Sequence, residues 1–374
     1  MSSRATARDL VCDTRTRRRW SPSVAARDGE KAARPAAPPQ ASPSPGWRDW
    51  LIWGVPTLVL SAADVRRLLD RDALLRALRE AFAAYSTGRA IAAQRAGSPL
   101  PGPGGRTVMV VFPGLIDGIP AFTVKVNTKI PGAARSVVGS IHLADLTTGD
   151  VLAIMDSIVI TAERTALAGA LAADVLARRE TPRVAVIGAG VQGEAQVRAL
   201  QLVRRVERVD VVDNVPGRAE SYAARVGPAL GIEVVPRDRV EDAVRDADLI
   251  ITATWSKEPF LTRAMVRDGV HITAVGADEP TKGEVDAGLI ASALFVCDDR
   301  DLAARMGAIA GAGLGPDAIH AELGEVIAGV RPGRTRDDQI TIFGTVGLAF
   351  QDLPAAWQVY SRARELGVGT MVDL

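Results

Sequence analysis

The fold is decided by the stretch Val184-Ala185-Val186-Ile187-Gly188-Ala189-Gly190-Val191-Gln192-Gly193. An apolar strand leads directly into a G-x-G-x-x-G pattern, and a helix is predicted to follow. Gly188 permits a tight turn, Gly190 lets the backbone approach a pyrophosphate, and Gly193 lets the helix pack closely on the strand. The unpaired N–H groups of the helix start then face the phosphates. The stretch therefore predicts a dinucleotide-binding turn.

Asp213 strengthens this interpretation. It follows the predicted strand Arg208–Val212 and stands 20 residues beyond Gly193. A carboxylate at this spacing accepts hydrogen bonds from the ribose hydroxyls of NAD and repels the 2′-phosphate of NADP. Arg218 stands nearby and moderates that preference. A plain strand–helix turn with a surface aspartate is the alternative. We expect NAD to be the cofactor.

Strand and helix patterns alternate after Arg183. Strands are predicted at Val184–Ile187, Arg208–Val212, Leu249–Ala253, His271–Val275 and Leu294–Cys297, and helices at Glu194–Val203 and Ala219–Val226. Such alternation is typical of a doubly wound parallel sheet. The sequence thus predicts an α/β fold in which residues 180–339 form a Rossmann-type domain that binds NAD.

The preceding part of the chain has a different pattern. Strands are predicted at Thr107–Phe112, Ala121–Asn127, Gly139–Leu146 and Val151–Asp156, with helices at Asp72–Ser86 and Thr161–Arg178 and a hairpin turn at 147–150. This order indicates a mostly antiparallel or mixed sheet in an α+β domain over residues 58–179. A helix predicted at Leu348–Leu366 is expected to return to it, so that residues 340–374 complete a discontinuous domain.

Composition excludes several classes of protein. The 374 residues are 47% hydrophobic and 24% charged, with a net charge of +1, which gives no general attraction to nucleic acid or membranes. Two cysteines and three scattered histidines offer no metal-ligand spacing, so no metal site is expected. No apolar run approaches the roughly 20 residues that span a bilayer. We expect a cytoplasmic protein.

Residues 1–57 are predicted to be a disordered extension. Arginines crowd its start, and proline, alanine and serine dominate residues 35–45. Such a segment has little apolar surface to offset its conformational entropy. A basic tail could touch nucleic acid, but a solvated extension or a mis-assigned start codon is the preferred interpretation. The apolar core of a secretory signal is absent from this stretch of sequence.

Several short motifs flank the glycine loop. In order, they are Gln94-Arg95-Ala96-Gly97, Phe122-Thr123-Val124-Lys125, Asp145-Leu146-Thr147-Thr148-Gly149, Thr161-Ala162-Glu163-Arg164-Thr165-Ala166, Val275-Gly276-Ala277-Asp278 with Lys282, Glu322-Leu323-Gly324-Glu325, and Gly347-Leu348-Ala349 with Gln351-Asp352. Through them the chain, over roughly residues 58–370, resembles the ornithine cyclodeaminase and mu-crystallin family. The T-A-x-R-T motif ahead of the loop and V-G-A-D behind it are specific together.

The resemblance implies a set of substrate residues in the first domain. Arg95, Lys125 and Arg164 would bind the α-carboxylate of an amino or imino acid, for which arginine offers two parallel hydrogen bonds. Lys125 could also move protons if its pKa were lowered. Asp278 would lie near the substrate amine as an acid/base or electrostatic partner. The simpler alternatives are surface arginines and a helix-capping aspartate.

The expected cofactor contacts extend from the glycine loop to the nicotinamide half. They are Gly188, Gly190, Val191, Gln192, Gly193, Asp213, Thr254, Val275, Lys282 and Thr345. Thr254 follows a predicted strand at the carboxyl edge, where α/β sheets bind ligands. The resemblance also implies a homodimer.

Three functions stay open at this point. The first expectation is cyclodeamination of L-ornithine to L-proline and ammonia, in which bound NAD takes and returns a hydride at the α-carbon. The second is an amino-acid dehydrogenase, or a reductase of a cyclic imine such as Δ1-pyrroline-2-carboxylate. The third is a binding protein, since mu-crystallin binds thyroid hormone, but the intact cations and Asp278 oppose it. The loop 98–106 has no carboxylate for a distal ammonium group, which weakens ornithine as the substrate.

Overall fold

The computed structural model describes residues 55–91, 95–100, 107–130, 133, 135–279 and 282–374. The extension predicted for residues 1–57 lies almost wholly outside these ranges; its last residue, Thr57, opens the first strand. In the part of the chain that the structure describes, the strands form one sheet of seven and one of eight.

The first sheet is mixed, as predicted. Its strands are β1 (Thr57–Leu60), β2 (Ala96–Leu100), β3 (Thr107–Gly114), β4 (Ala121–Lys129), β5 (Val137–Asp145), β6 (Val151–Asp156) and β15 (Thr370–Val372). Their order is β15-β1-β6-β5-β4-β3-β2, and all neighbours are antiparallel except β1 and β6. Strand β2 differs from the sequence prediction, in which residues 98–106 form a loop. Pro99 is tolerated because β2 lies at the sheet edge.

The turn between β5 and β6 is the predicted hairpin turn. Oδ1 of Asp145 accepts hydrogen bonds from the backbone N–H groups of Thr147 (2.7 Å) and Thr148 (2.9 Å). Gly149 adopts a φ of +80°, which favours glycine. The motif of residues 145–149 thus has a local structural role.

The second sheet is the predicted Rossmann-type sheet. It consists of β7 (Arg183–Ile187), β8 (Arg208–Val212), β9 (Glu233–Pro236), β10 (Leu249–Thr252), β11 (His271–Ala274), β12 (Leu294–Cys297), β13 (Ala321–Glu322) and β14 (Thr341–Gly344). The order is β13-β12-β14-β11-β10-β7-β8-β9, with every pair parallel. Strand order reverses beside β7, and the glycine loop follows that strand, as the fold requires.

Strand β14 corrects the predicted domain boundary. Residues 340–374 are predicted to belong to the first domain, but Thr341–Gly344 pairs with both β11 and β12 inside the Rossmann sheet. The chain returns to the first sheet only after this strand. Four buried residues bounded by a polar loop are too short a signal to separate a strand from the start of a helix.

Two helix starts also differ from the predictions. Helix α3 spans Ser157–Leu176 rather than Thr161–Arg178, because Asp156 caps it by accepting bonds from the N–H groups of Ile158 and Val159. Arg164 therefore lies two turns inside the helix and not near its start. Helix α4 spans Val191–Leu200 rather than Glu194–Val203, so it begins immediately after Gly190.

The other helices cover the sheets. They are α1 (Ala62–Leu68), α2 (Arg71–Ser86), α5 (Arg218–Leu230), α6 (Val240–Val244), α7 (Ala287–Ala291), α8 (Arg300–Arg305), α9 (Gly307–Gly311), α10 (Leu323–Ile327) and α11 (Asp352–Leu366), with 3₁₀ turns at Arg263–Met265, Pro316–Ala318 and Ala349–Gln351. Helix α11 packs against α2, α3 and β4, and β15 then pairs with β1. The predicted return of the C-terminal segment to the first sheet is thus present.

None of the helices in the described ranges is long and apolar enough to cross a membrane. Within the same residues, no group of three or more histidine, cysteine, aspartate or glutamate side chains is arranged to hold a metal ion.

Candidate active site

Two neighbouring cavities lie at the carboxyl edge of the Rossmann sheet. The inner cavity, of about 210 Å³, is lined by residues of both sheets, among them Arg95, Lys125, Arg164, Asp278 and Lys282. The cofactor crevice, of about 490 Å³, is lined among others by Gly188, Gly190, Asp213, Arg218 and Ser256. Both share Ala253, Thr254 and Trp255 as lining residues. A single elongated ligand can therefore reach from one cavity into the other.

The glycine loop has the geometry that a pyrophosphate needs. Gly188 has a φ of +104°, and a Cβ there would collide with the carbonyl oxygen of Ala253. A Cβ on Gly193 would collide with the carbonyl oxygen of Gly188, whereas one on Gly190 would meet no described atom within 4 Å. Open space at Gly190 leaves room for a ligand against the backbone. No side chain caps α4, and Val191 in its first turn is 73% exposed, so the N–H groups there are accessible.

Asp213 is fixed at the far wall of the cofactor crevice. Its Oδ2 accepts a hydrogen bond from Ala189 N–H and its Oδ1 one from Val215 N–H, both at 2.9 Å. Nη1 of Arg218 lies 3.4 Å from Oδ1, and the Asp213 side chain is 6% exposed. The carboxylate is thus held by the loop backbone at the position predicted for the adenosine ribose.

Glu284 is a buried carboxylate that the sequence analysis missed. It accepts hydrogen bonds from the hydroxyl of Thr252, from both the N–H and hydroxyl of Thr254, and from the N–H of Gly276, all at 2.7–2.8 Å. Burial raises the pKa of Glu284, and these hydrogen bonds oppose the rise. The carboxyl group joins the ends of β10 and β11 and fixes Thr254, a predicted cofactor residue.

Asp298 is a second buried carboxylate, and it fixes the start of the C-terminal segment after β14. This buried carboxylate accepts hydrogen bonds from the hydroxyl of Thr345 (2.6 Å) and the N–H groups of Val346 (3.0 Å) and Gly347 (2.7 Å). Burial raises the pKa of Asp298. Its one sequence signal is its position directly after β12, at the carboxyl edge. The Thr345 hydroxyl is therefore already donated to the protein, although Thr345 lines the inner cavity.

Lys125 and Arg164 meet over a third unpredicted carboxylate, Asp352. Alternation along β4 places Thr123, Lys125 and Asn127 on its buried face. Nζ of Lys125 lies 2.6 Å from Oδ2 of Asp352, and Nε of Arg164 lies 3.2 Å from Oδ1. Two cations therefore share one carboxylate, and this cluster carries one excess positive charge.

The environment of Lys125 lowers its pKa to about 8. Burial is the largest cause, because the side chain is 1% exposed and its charged form loses water. Asp352 partly opposes the shift, while the charges of Arg164 and Arg95 add to it. The ammonium group also lies 4.6 Å from the ring centroid of Phe112. Lys125 is thus able to hold or release a proton near neutral pH.

Arg95 contributes a positive charge at the mouth of this cluster. Its Nη1 donates to the backbone oxygen of Asp278 at 3.0 Å, and its guanidinium stands 5.3 Å from the centroid of the Phe112 ring. Among the described residues it forms no ion pair with a carboxylate. Its charge is therefore available to an anionic ligand in the inner cavity.

Asp278 is held between two lysines. Its Oδ2 lies 2.6 Å from Nζ of Lys129, and its Oδ1 lies 2.7 Å from Nζ of Lys282, which itself stands 3.9 Å from the centroid of the Trp255 ring. Burial alone would raise the pKa of Asp278, but the two ammonium groups outweigh it and hold that pKa well below its ordinary value. The two lysines thus favour the ionised carboxylate, and the role of Asp278 beside the substrate amine, as an acid/base or as an electrostatic partner, stays a prediction.

Two polar atoms at the inner cavity have no partner. Thr161 Oγ1 and Gln192 Oε1 are buried without a hydrogen bond to any described residue, and both residues line the cavity. Buried polar groups are rarely left unsatisfied, so these atoms indicate a site that a ligand completes. Gln192 belongs to the glycine loop, which connects this observation with the predicted dinucleotide.

The structure brings most of the predicted site residues together. The inner cavity is lined by Arg95, Lys125, Arg164, Gln192, Thr254, Val275, Asp278, Lys282 and Thr345. The crevice takes Gly188, Gly190 and Asp213, with Val191 and Gly193 in the adjoining first turn of α4. The residues missed from sequence are Phe112, Lys129, Thr161, Glu284, Asp298 and Asp352. A lysine at the end of β4 or an acidic residue in a loop carries no periodic signal that marks a site.

Known proteins share this architecture. The family model of the ornithine cyclodeaminase/mu-crystallin family matches residues 55–367. A Δ1-pyrroline-2-carboxylate reductase of Bacillus cereus is 30% identical over 84% of this chain and 99% of its own. An alanine dehydrogenase of Archaeoglobus fulgidus is 32% identical over 84% of this chain and 98% of its own.

A solved structure extends the similarity to three dimensions. The Δ1-pyrroline-2-carboxylate reductase of Thermococcus litoralis, in complex with NADH and L-proline, superimposes with a TM-score of 0.80. It is 32% identical and covers 84% of this chain and all of its own. With the match of the family model over most of the described residues, this chain belongs to the ornithine cyclodeaminase/mu-crystallin family.

Proposed function

We propose that this chain is an NAD-dependent oxidoreductase that reduces an α-imino acid of the Δ1-pyrroline-2-carboxylate class to the amino acid. One observation carries the proposal: Lys125, with a pKa of about 8, lies in a cavity with two arginines directly beside the cofactor crevice. An anion-binding group and a proton donor would then lie side by side in the inner cavity. The relatives named above, a reductase and a dehydrogenase, support the same reaction class.

NAD fits the cofactor crevice. Gly188, Gly190 and the N–H groups of the first turn of α4 would hold the pyrophosphate, and Asp213 the adenosine ribose. The unpaired Gln192 Oε1 and the fixed Thr254 lie on the side of the inner cavity. When bound, NADH supplies the hydride that the reduction requires.

The cations of the inner cavity would hold the α-carboxylate of the substrate. Lys125 and Arg164 share a single carboxylate, Asp352, and Arg95 has no carboxylate partner among the described residues. An incoming carboxylate would therefore neutralise charge that the protein leaves uncompensated. These contacts would also orient the substrate, because a guanidinium group fixes the direction of a carboxylate as well as its position.

Lys125 would deliver the proton. Reduction of a C=N bond adds a hydride to carbon and a proton to nitrogen. At pH 7 the Lys125 ammonium group is largely protonated, yet its lowered pKa makes the proton easy to transfer. Asp278 would stay ionised and would not itself exchange a proton, because Lys129 and Lys282 each pair with one of its oxygens.

Cyclodeamination of L-ornithine, the first expectation from sequence, is the competing proposal. Its chemistry begins with the same hydride transfer in the opposite direction, and the family name includes it. A reductase and a dehydrogenase at 30% and 32% identity support net redox chemistry. A protein of Sinorhizobium fredii named as an uncharacterized cyclodeaminase is also 32% identical, so the two proposals must be separated by their products.

The products of the reaction distinguish imino-acid reduction from cyclodeamination of L-ornithine. Purified protein is supplied with NADH and Δ1-pyrroline-2-carboxylate, and with NAD and L-ornithine, while NADH absorbance, proline and ammonia are followed together. We expect NADH consumption that matches proline formation in the first mixture. Release of ammonia and proline from L-ornithine without a net change in NADH would refute the proposal. Replacement of Lys125 by Met should abolish reduction, whereas Arg331→Gln, at an exposed position away from both cavities, is the matched control.

Two expectations from the sequence concern the assembly and the location of the protein. A homodimer and a cytoplasmic location both stay predictions. Size-exclusion chromatography with light scattering tests the first, and fractionation of the source cells tests the second.

A further inference from the structure

Lys129 joins the two sheets across the inner cavity. It is the last residue of β4, and its Nζ lies 2.6 Å from Oδ2 of Asp278 and 2.7 Å from Oε1 of Glu279. Both carboxylates belong to the loop after β11 in the Rossmann sheet. The lysine side chain is 12% exposed and the side chains of Asp278 and Glu279 are 29% and 27% exposed, so water screens these ion pairs only in part. Nothing in the proposed reduction requires a lysine at this position.

Asp278 is the one carboxylate among the described residues that line the inner cavity. A substrate with a distal ammonium group would need such a partner, because an unpaired charge in a desolvated site is costly. Both oxygens of Asp278 are already occupied, Oδ2 by Lys129 and Oδ1 by Lys282. A third ammonium group would have to share an oxygen that a lysine already contacts, and it would be repelled by two like charges.

The charge balance of the whole cavity supports the same conclusion. Five cations line it: Arg95, Lys125, Lys129, Arg164 and Lys282. Their ion-pair partners in the described chain are Asp278, Glu279 and Asp352, so the cations outnumber the carboxylates paired with them by two. Glu284 and Asp298, the two buried carboxylates next to the cavity, are held by hydroxyl and N–H groups and form no ion pair with these cations. The α-carboxylate of a substrate neutralises one of them. The cation that then still lacks a carboxylate partner repels a cationic side chain in the same cavity.

We infer that Lys129 is a specificity-determining residue, which excludes amino and imino acids that carry a distal ammonium group by occupying Asp278 and Glu279. The inference rests on the proposed function, since it names the substrate class of the same site. It makes diamino acids such as ornithine poor ligands and leaves the site to substrates with uncharged or acidic side chains.

The experiment compares two ligands that differ in one amine. L-Norvaline has the carbon skeleton of L-ornithine without the terminal amino group. Dissociation constants for both are measured by calorimetry on the protein saturated with NADH, where amino acids cannot be oxidised. We expect ornithine to bind the wild type at least about tenfold more weakly than norvaline, a difference of ~1.4 kcal/mol. Lys129→Gln should reduce this ratio by on the order of tenfold, because it frees Oδ2 of Asp278 and Oε1 of Glu279.

Two variants act as controls. Lys129→Arg keeps the positive charge, and Arg331→Gln removes an exposed charge away from the cavity, so both should keep the ratio of the wild type. A purely structural effect of Lys129→Gln, such as weaker contact between the two sheets, would weaken the binding of both ligands. The ratio of their dissociation constants would then stay as in the wild type. That result would overturn the inference, as would equal behaviour of the two ligands in the wild type, including failure of both to bind.

Failure of the proposed function is visible separately. It would appear as an absence of NADH oxidation with any imino acid in the wild type. The ligand ratio is measured without turnover, so it tests Lys129 whichever reaction the protein catalyses.

Discussion

We predict that replacing Asp352 lowers the pKa of Lys125 and thereby shifts the pH dependence of catalysis. Asp352 is buried between Lys125 and Arg164, at 2.6 Å and 3.2 Å. Replacement by Asn removes the negative charge and keeps the shape of the side chain. Because Asp352 raises the pKa of Lys125 against the effect of burial, its loss should move that pKa further down from about 8. We expect the pKa of Lys125 to fall by at least about one unit, which corresponds to ~1.4 kcal/mol of charge stabilisation, because the lost carboxylate lies 2.6 Å from the ammonium group.

The sign of the effect on catalysis follows from the role of Lys125. Reduction requires the protonated lysine, so kcat/KM for the imino acid should fall as the pH rises through about 8 in the wild type. Oxidation of the amino acid requires the neutral lysine, so its kcat/KM should rise through the same pH. In Asp352→Asn, the fall of kcat/KM for reduction and the rise of kcat/KM for oxidation should both move to lower pH by the same amount. These two pH-dependent changes are called the limbs. A structural defect alone would lower both rates and leave the limbs in place.

Stability must be followed in the same samples. Removing one partner of a buried ion pair typically costs about 3–5 kcal/mol, because two cations are left facing each other. Lys125→Met is the milder comparison, since Asp352 then keeps Arg164 as a partner. Should Asp352→Asn fail to fold, the double variant with Lys125→Met restores the charge balance and tests whether the cause is electrostatic. Unshifted pH limbs in folded Asp352→Asn would refute the assignment of the titrating group to Lys125.

The remaining predictions concern the cofactor and stability. Gly190→Ala should leave the melting temperature unchanged, since its Cβ meets no described atom within 4 Å, yet weaken NADH binding by about tenfold or more, as measured by fluorescence titration. Gly193→Ala should lower the melting temperature and also weaken NADH binding, because a Cβ at this position would collide with the carbonyl oxygen of Gly188. Asp213→Asn should reduce the preference for NADH over NADPH by on the order of tenfold in kcat/KM, and an unchanged ratio would show that its charge does not select the cofactor. The unfolding free energy of the wild type should rise relative to Lys125→Met by up to ~3 kcal/mol between pH 8 and 10.5, as the buried lysine loses its proton before the unfolded chain does.

The Rossmann sheet was predictable because its signals are local. An apolar strand, three glycines at fixed spacing and an acidic residue after the next strand are each required by the geometry of one turn. The placement of Asp213, at the end of β8 with its carboxylate on the loop N–H groups, agrees with that prediction. The boundary at β14 was not predictable in the same way. Four residues are too few to show a period, and their position inside the sheet is set by pairing with β11 and β12.

The supporting carboxylates escaped prediction for a related reason. Glu284, Asp298 and Asp352 each have a role because of a neighbour far along the chain. Asp352, for example, meets Lys125 and Arg164 at separations that no local pattern records. A lysine on the buried face of β4 was nevertheless a usable signal, because alternation places Lys125 in the interior, where a charge needs a partner. What the sequence could not supply was the identity of that partner.

The C-terminal segment explains why the two cavities act as one site. β14 pairs inside the Rossmann sheet. Directly after it, the Thr345 hydroxyl and the Gly347 N–H group donate hydrogen bonds to Asp298. Five residues later the same segment provides Asp352, which holds Lys125 in the first sheet. The covalent path from the cofactor side to the proton donor is therefore short and fixed at both ends by buried carboxylates. In the proposed reduction this segment would set the distance between NADH and the Lys125 ammonium group, and misplacement of reacting groups by about 1 Å can cost on the order of a hundredfold in rate. A variant that releases one end, such as Asp298→Asn, should accordingly lower kcat while changing the dissociation constant of NADH little.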